Sequence, residues 1–212
     1  ELANNIDASV TSASDWDSAN DLFETNTGNG YGFDPIGDNT TNFTGSFDGK
    51  EYEIDGLYIN RISQTSTDDN YGFYIGLFGY TSSQTNSIKN IGLTNINYTT
   101  LHYSGGLIGW SNYYTIENSY VQGDFASYNQ NFYSIGLLIG YMSNGTVDDC
   151  YSTGSIQGGS SQGGLIGYAQ SNGSDLIISN SYSEADVTGL TTGVKYVGGL
   201  IGYLKRSNNT CS

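Results

Sequence analysis

Chemistry in this 212-residue sequence would have to come from carboxylates and tyrosines, since it holds 21 Asp plus Glu and 19 Tyr but one His and two Cys. Paired carboxylates cleave glycosidic bonds, one as acid and the other as base or nucleophile. The pairs on offer are Asp148 with Asp149 and Asp124 with Asp186. Neighbours along a strand point to opposite faces, so Asp148 and Asp149 work together only if a bend intervenes. Asp124 and Asp186 sit in one column two rungs apart, roughly 9–10 Å, a marginal separation for an inverting pair. His102, in "TTLHYSG", lacks a sequence context that would orient it as a base beside a nucleophile. It is expected to be a solvated surface residue. No basic residue lies between Lys89 and Lys195 to neutralise a uronate. No catalytic residue is therefore assigned, and the chain is expected not to be an enzyme.

Metal chemistry is equally thin. One His and two Cys exclude the usual zinc sites. Oxygen ligands for calcium are plentiful at Asp15, Asp17 and Asp21, at Asp68 and Asp69, and at Asp148 and Asp149. None of these groups has the EF-hand order, so solvated acidic turns are the expectation. No metal site and no cofactor is assigned, with calcium the one cation left open. Cys150 and Cys211 fall about two coil rises apart, roughly 9–10 Å, beyond the ~7 Å Cα limit for a disulfide. Each is expected to fill space as a small apolar side chain.

The tyrosines fall into two rows. Tyr120, Tyr151 and Tyr182 share one column. Trp110, Tyr141 and Tyr168, with Tyr80 and Tyr203, share another. These six named first in each row (Tyr120, Tyr151, Tyr182, Trp110, Tyr141, Tyr168) are the candidate ligand-binding residues. Such rows can stack sugar rings, join neighbouring subunits, or pack on themselves as rungs. N-glycosylation sequons stand at Asn39, Asn42, Asn97, Asn144, Asn172 and Asn208. Their number is close to what this Asn-, Ser- and Thr-rich composition yields by chance.

A repeat must position these residues. "GGLIGY" occurs at Gly163–Tyr168 and Gly198–Tyr203, with "GGLIGW" at Gly105–Trp110, "GLLIGY" at Gly136–Tyr141 and "IGLFGY" at Ile75–Tyr80. The last glycines, Gly79, Gly109, Gly140, Gly167 and Gly202, are spaced by 30, 31, 27 and 35 residues. A second motif follows in phase, from Ser87, Thr115, Thr146 and Ile177, with an earlier relative from Glu53. Its columns are aliphatic (Ile54, Ile88, Ile116, Val147, Ile178), then Gly56, Asn90, Asn118, Asp149 and Asn180. Gly, Asn and Asp tolerate left-handed backbone angles, so a sharp bend is expected once per repeat. Stacked coils turn each column into a ladder. The expected fold is all-β: a parallel β-solenoid of about 30-residue coils, with a β-propeller-like repeat as the alternative. In the hexamer, Leu165 and Ile166 are expected on opposite faces, one filling the core and the other covered from outside. The front is assigned differently. Residues 1–49 form a cap and a first irregular coil, with a short helix over Ser14–Phe23. Residues 50–212 form the repeats as one continuous domain.

Composition narrows the partners. The net charge is −15, and about 14 of the 21 acids precede residue 70. Such a polyanion repels nucleic acid and anionic lipid. No stretch reaches the ~20 apolar residues of a membrane span, so direct insertion is not expected. The first residue is Glu, with no signal peptide, and the sequence is expected to be an excised segment of a longer secreted precursor.

The hexamer, the following "NSY" or "DCY" and "TGSI" resemble the GLUG-motif repeats of microbial surface proteins. So do "LANNID", "FDPIG" and "FTGSFDGKEYEIDGLYIN" in the front half. The resemblance implies an extracellular, cell-surface, adhesin-like protein whose repeats serve as stalk or display surface. The expected function is a non-enzymatic stalk or fibre segment that associates end to end with itself or with neighbouring subunits. A carbohydrate-binding module reading surface glycans through the aromatic rows is the alternative, and a polysaccharide hydrolase the third.

Overall fold

The computed structural model describes residues 1–13, 32–61, 73–100, 102–127, 133–189 and 196–206. The expected helix over Ser14–Phe23, the acids Asp15, Asp17, Asp21, Asp68 and Asp69, and Asn208 and Cys211 lie outside the described residues. The described chain is a parallel β-solenoid. Coil two runs through strands Tyr74–Ile75, Phe78–Ser82 and Ser87–Thr100. Coil three has Tyr103–Ser104, Ile108–Asn112, Thr115–Glu117 and Tyr120–Ser127. Coil four has Ser134–Gly136, Ile139–Ser143, Gly145–Asp148 and Tyr151–Gln157, and coil five repeats the pattern through Tyr182–Thr188. Strands Tyr196–Gly198 and Ile201–Arg206 begin a sixth coil. Equivalent strands stack into three sheets. Every strand pairing within them is parallel, which excludes the hairpins of a propeller.

The core is a bundle of columns. Ile88 pairs with Ile116, Ile116 with Val147, and Val147 with Ile178. The first three are fully buried, at about 2 kcal/mol or more each relative to exposure. Phe78, Ile108, Ile139, Ile166 and Ile201 form a second column. Tyr98 stacks on Phe125 at 4.9 Å in a third. At the front, Ile6–Asp7 adds one more rung below Ile54–Asp55. A 3-10 turn over Ser9–Ser12 follows, and Thr11 in it accepts a hydrogen bond from Tyr58 N at 2.9 Å.

The recurring bend is where the sequence places it. Asn90, Asn118, Asp149 and Asn180 have φ of 54°, 43°, 52° and 48°. Their amides link rungs: Asn118 Nδ2 donates to Asn90 Oδ1 at 2.8 Å, and Asn90 Nδ2 to Asp48 Oδ1 at 2.9 Å. Gly56 does not belong to this column. Ile54 pairs with Leu93, whereas the partner of Ile88 is Phe47. Lys50 and Glu51, at φ 56° and 64°, make the first coil's bend instead. Gly56 marks a second bend beside Asn95, its N–H bonding to Thr94 O at 2.9 Å.

The hexamer is a corner between two sheets. In coil five the strand Ser161–Gly163 ends on its first glycine, and Ile166 starts the next strand. Leu165 and Ile166 are both fully buried. Both belong to the one core cluster, with the chain bending at Gly164 and Leu165, so neither is covered from outside as strand alternation would have it. The corner brings backbones together: a Cβ on Gly136 would lie 2.6 Å from Gly167 N in the coil above, and one on Gly105 2.6 Å from Gly140 N. Coil two turns the corner one residue sooner, since Ile75 aligns with Ser104 and Phe78 with Ile108. Gly76 there takes the place that Gly105 has in coil three.

The demand for glycine comes both from the corner itself, since a Cβ on Gly136 or Gly198 would run into the carbonyl of Ile139 or Ile201 in its own coil, and from the neighbouring coil. A Cβ on Gly164 would strike Gly199 O and Ser183, while one on Gly199, which has no coil above it among the described residues, meets nothing within 4 Å. Gly136→Ala is therefore expected to destabilise the fold by about 3 kcal/mol, and Gly199→Ala by under about 1 kcal/mol. Urea unfolding curves of the two variants check the contrast; equal losses would contradict it.

Candidate functional site

The two aromatic rows stand where the columns predict. Tyr120, Tyr151 and Tyr182 stack at 4.7 and 5.3 Å, within 7° of parallel. Tyr120 leans over Gly92, whose missing side chain leaves its ring room, and its hydroxyl donates to Glu53 one coil further down. In the other row Tyr80, Trp110, Tyr141 and Tyr168 stack at 5.8, 3.7 and 4.8 Å, with Tyr203 tilted on Tyr168 at 4.9 Å. Tyr74 stands edge-on to Tyr80, and Tyr103 edge-on to Trp110 and Tyr141. Each interior ring is thus flanked by a ring or its equivalent above and below. What remains outward is mostly edge and hydroxyl. Burial raises the Tyr141 phenol to about 12 and raises Tyr120, where Glu53 adds to it. These hydroxyls stay neutral donors at any ordinary pH.

The carboxylates are held by hydroxyls and amides. Asp124 and Asp186 share a column with Ser155 between them, and Ser155 Oγ donates to Asp124 Oδ1 at 2.7 Å. Asp148 accepts from Ser179 Oγ at 2.7 Å and Asn180 Nδ2 at 2.8 Å, which lowers its pKa. Asp149 sits in the bend itself. Among the described residues no three His, Cys, Asp or Glu side chains come together as a metal site would need.

The sequons separate by environment. Asn39, Asn97 and Asn172 are exposed and Asn42 is half-buried. Asn144 is buried, and its Oδ1 accepts from Asn172 N at 2.7 Å. The folded chain leaves no room for a glycan there.

One feature has no counterpart among the sequence candidates. The outer face of the largest sheet carries an open groove of about 500 Å³ lined by Asn95, Asn97, Gln122, Asp124 and Thr153, over Gly123 and Gly154. Its origin is a mismatch in length. Val121 pairs with Leu93 but Gly123 with Ile96, so coil two has one residue more here than coil three. That extra residue is absorbed as a β-bulge, with Asn95 at φ 51°. Gly123 and Gly154 leave the floor bare because a Cβ on either would run into the carbonyl below. The small column Gly123, Gly154, Ala185 is visible in the sequence, but the mismatch appears only when coils are paired.

The likenesses to known proteins follow the same repeat. Residues 133–157, which span coil four, match the family model described as the GLUG motif. The hexamer Gly136–Tyr141 lies within that match. The chain is 38% identical over 96 residues to a protein of Evansella cellulosilytica described as a Gly-rich membrane protein, covering 44% of this chain and 10% of that one. It is 36% identical over 108 residues to halomucin of Haloquadratum walsbyi, covering 51% of this chain and 1% of halomucin. The chain thus spans a small fraction of the length of either relative. No solved structure matches it.

Two reactive side chains are locked into structure. Cys150 is buried in the column between Ser119 and Ser181, where Ser181 Oγ accepts its N–H at 3.1 Å. Burial pushes its thiol up to about 12, so it is inert as a nucleophile. His102 is not the solvated residue the sequence suggests: it is 1% exposed, its ring 4.1 Å from Phe73 and 4.2 Å from Tyr133. The column of aromatics one coil below and one above encloses it. Burial pushes its pKa down from 6.5 to about 4. The neutral form is favoured in the fold, so His102 contributes fully above pH 6.5. That contribution, up to about 3 kcal/mol, is lost as pH falls from 6.5 to 4. His102→Phe is expected to flatten this part of the stability–pH curve. Thermal melts of both proteins between pH 4 and 7 measure it, and parallel curves would contradict it.

Proposed function

We propose that this chain, which carries the GLUG motif, is a structural segment of an extracellular cell-surface protein. It serves as a rigid stalk or fibre piece and performs no catalysis. The observation that carries this reading is the continuity of the ladder. Tyr120, Tyr151 and Tyr182, and Ile108, Ile139, Ile166 and Ile201, keep register from coil to coil without interruption. A rod of this kind lengthens by about 4.8 Å per coil and stays stiff because each coil is fixed on the last. The two relatives, one described as a Gly-rich membrane protein and the other halomucin, support a surface location. Among the described residues no helix is long and apolar enough to cross a membrane.

End-to-end association belongs to the same reading. At the last coil Ile177, Val197 and Leu204 are 48%, 47% and 64% exposed, and Leu176, Ile178 and Val187, which point inward, are only partly buried. An open sheet edge beside uncovered apolar columns invites another coil. The proposed neighbour is a further coil, either one that follows in a longer polypeptide or one supplied by a second copy of this chain, and adhesion to other surfaces would follow from display along such a rod.

Two measurements test the proposal. Antibody against this chain is expected to label intact cells of the source organism; label only after permeabilisation would overturn the surface assignment. Sedimentation over a concentration series is expected to show reversible growth in mass, with V197E/L204E weakening association at least about tenfold. A monomer at every concentration would remove the fibre and leave the stalk.

A further inference from the structure

We propose that the groove at the bulge binds a neutral oligosaccharide lying along the solenoid axis. This goes beyond the stalk role and does not depend on it.

The first argument is hydrogen-bonding capacity. On the other outward ladders the amides and hydroxyls are used between rungs, as in Asn118 to Asn90 to Asp48 or Ser179 and Asn180 to Asp148. In the groove, the side chains of Asn97, Gln122 and Thr153 make no hydrogen bond to another described residue. Each amide carries donors and an acceptor, and Thr153 carries both in one hydroxyl. Asp124 gives Oδ1 to Ser155 and keeps its second oxygen outward. Two amides, a hydroxyl and a carboxylate oxygen around a bare floor match a ligand made of hydroxyl groups, which must be met as donor and acceptor at once.

Charge decides against other ligands. The groove contains no cation, and the sequence has none from residue 90 to residue 194. A uronate or sulfated sugar would meet Asp124 with no counter-charge. One carboxylate is also too few for calcium, which takes six to eight oxygens.

The third argument is spacing. Gln122 and Thr153 pair across successive coils, as do Asp124 and Ser155, so the polar positions recur at about 4.8 Å. An extended pyranose chain advances by a similar length per residue. Tyr120 and Tyr151 stand two residues before Gln122 and Thr153 on the same face.

The test is a chemical-shift titration of the 15N-labelled chain with neutral hexasaccharides of glucose, xylose and mannose. Hexagalacturonate and calcium chloride serve as separate arms. At least one neutral sugar is expected to give saturable shifts confined to the groove residues, with N97A/Q122A weakening it at least about tenfold. Both substituted positions are exposed, so circular dichroism of the variant is expected to match the parent. The proposal is overturned if no neutral sugar shifts these resonances, if only hexagalacturonate or calcium does, or if N97A/Q122A binds as tightly as the parent. Surface labelling of cells is unaffected by any of these results, so the stalk reading stands or falls separately.

Discussion

The parallel hydrogen-bond ladder that sets each coil about 4.8 Å above the last governs every other choice in this chain. Under that constraint a residue's nearest neighbour is its own counterpart in the next coil, and only side chains that tolerate their own kind can repeat. Isoleucine does so in the core and tyrosine on the surface, where the rings of Tyr120, Tyr151 and Tyr182 lie nearly parallel. Asparagine does so at the bend, because its amide donates downward and accepts from above. Carboxylates do not, since two charges one rung apart repel. The chain nevertheless carries a net charge of −15. It solves this by giving carboxylates hydroxyl or amide partners from adjacent coils. Asp48 takes Asn90, Asp55 takes Thr94 and Asn95, Asp124 takes Ser155, and Asp148 takes Ser179 and Asn180. Where Glu117 and Asp148 do meet, Lys89 pairs below Glu117 and Ser179 above Asp148. The bonds from Asn90 hold Asp48 down near 2, well below an ordinary carboxylate.

Glycine in the hexamers answers to the same ladder. The corner alone already asks for its first glycine, since a Cβ on Gly163 or Gly198 would run into the carbonyl of Ile166 or Ile201 in the same coil. Stacked corners bring the backbone of one coil against the next, as at Gly136 and Gly167, and no side chain fits between. The motif therefore records both the corner and what lies above and below it. This is why five copies carry information that one copy lacks, and why nothing crowds Gly199, the second glycine of the last corner.

What could be read from the sequence follows this logic. Columns that repeat in every coil were legible: the hexamer, the Asn bend at Asn90, Asn118, Asp149 and Asn180, the tyrosine row and the aliphatic core. Features set by differences between coils were not. Gly56 resembles a member of the Asn column because its flanking residues are similar, yet pairing of Phe47 with Ile88 shifts the first coil by a whole bend. Leu165 and Ile166 follow strand alternation on paper, and only the bend at Gly164 and Leu165 sends both inward. His102 has polar neighbours in sequence, while Phe73 and Tyr133 reach it from coils on either side.

The groove belongs to that second class, and its place is not accidental. A solenoid with equal coils presents continuous ladders whose polar groups satisfy one another, so its faces offer little to a ligand. A coil longer by one residue breaks the register and raises a bulge at Asn95, and beside it the side chains of Asn97, Gln122 and Thr153 make no hydrogen bond to another described residue, although Gln122 and Thr153 are paired rungs. Recognition on such a fold is then to be sought where neighbouring coils differ in length rather than where they agree. The stacked rings of Tyr151 or Trp110 are the most regular part of the surface, and for that reason their faces are already occupied by one another.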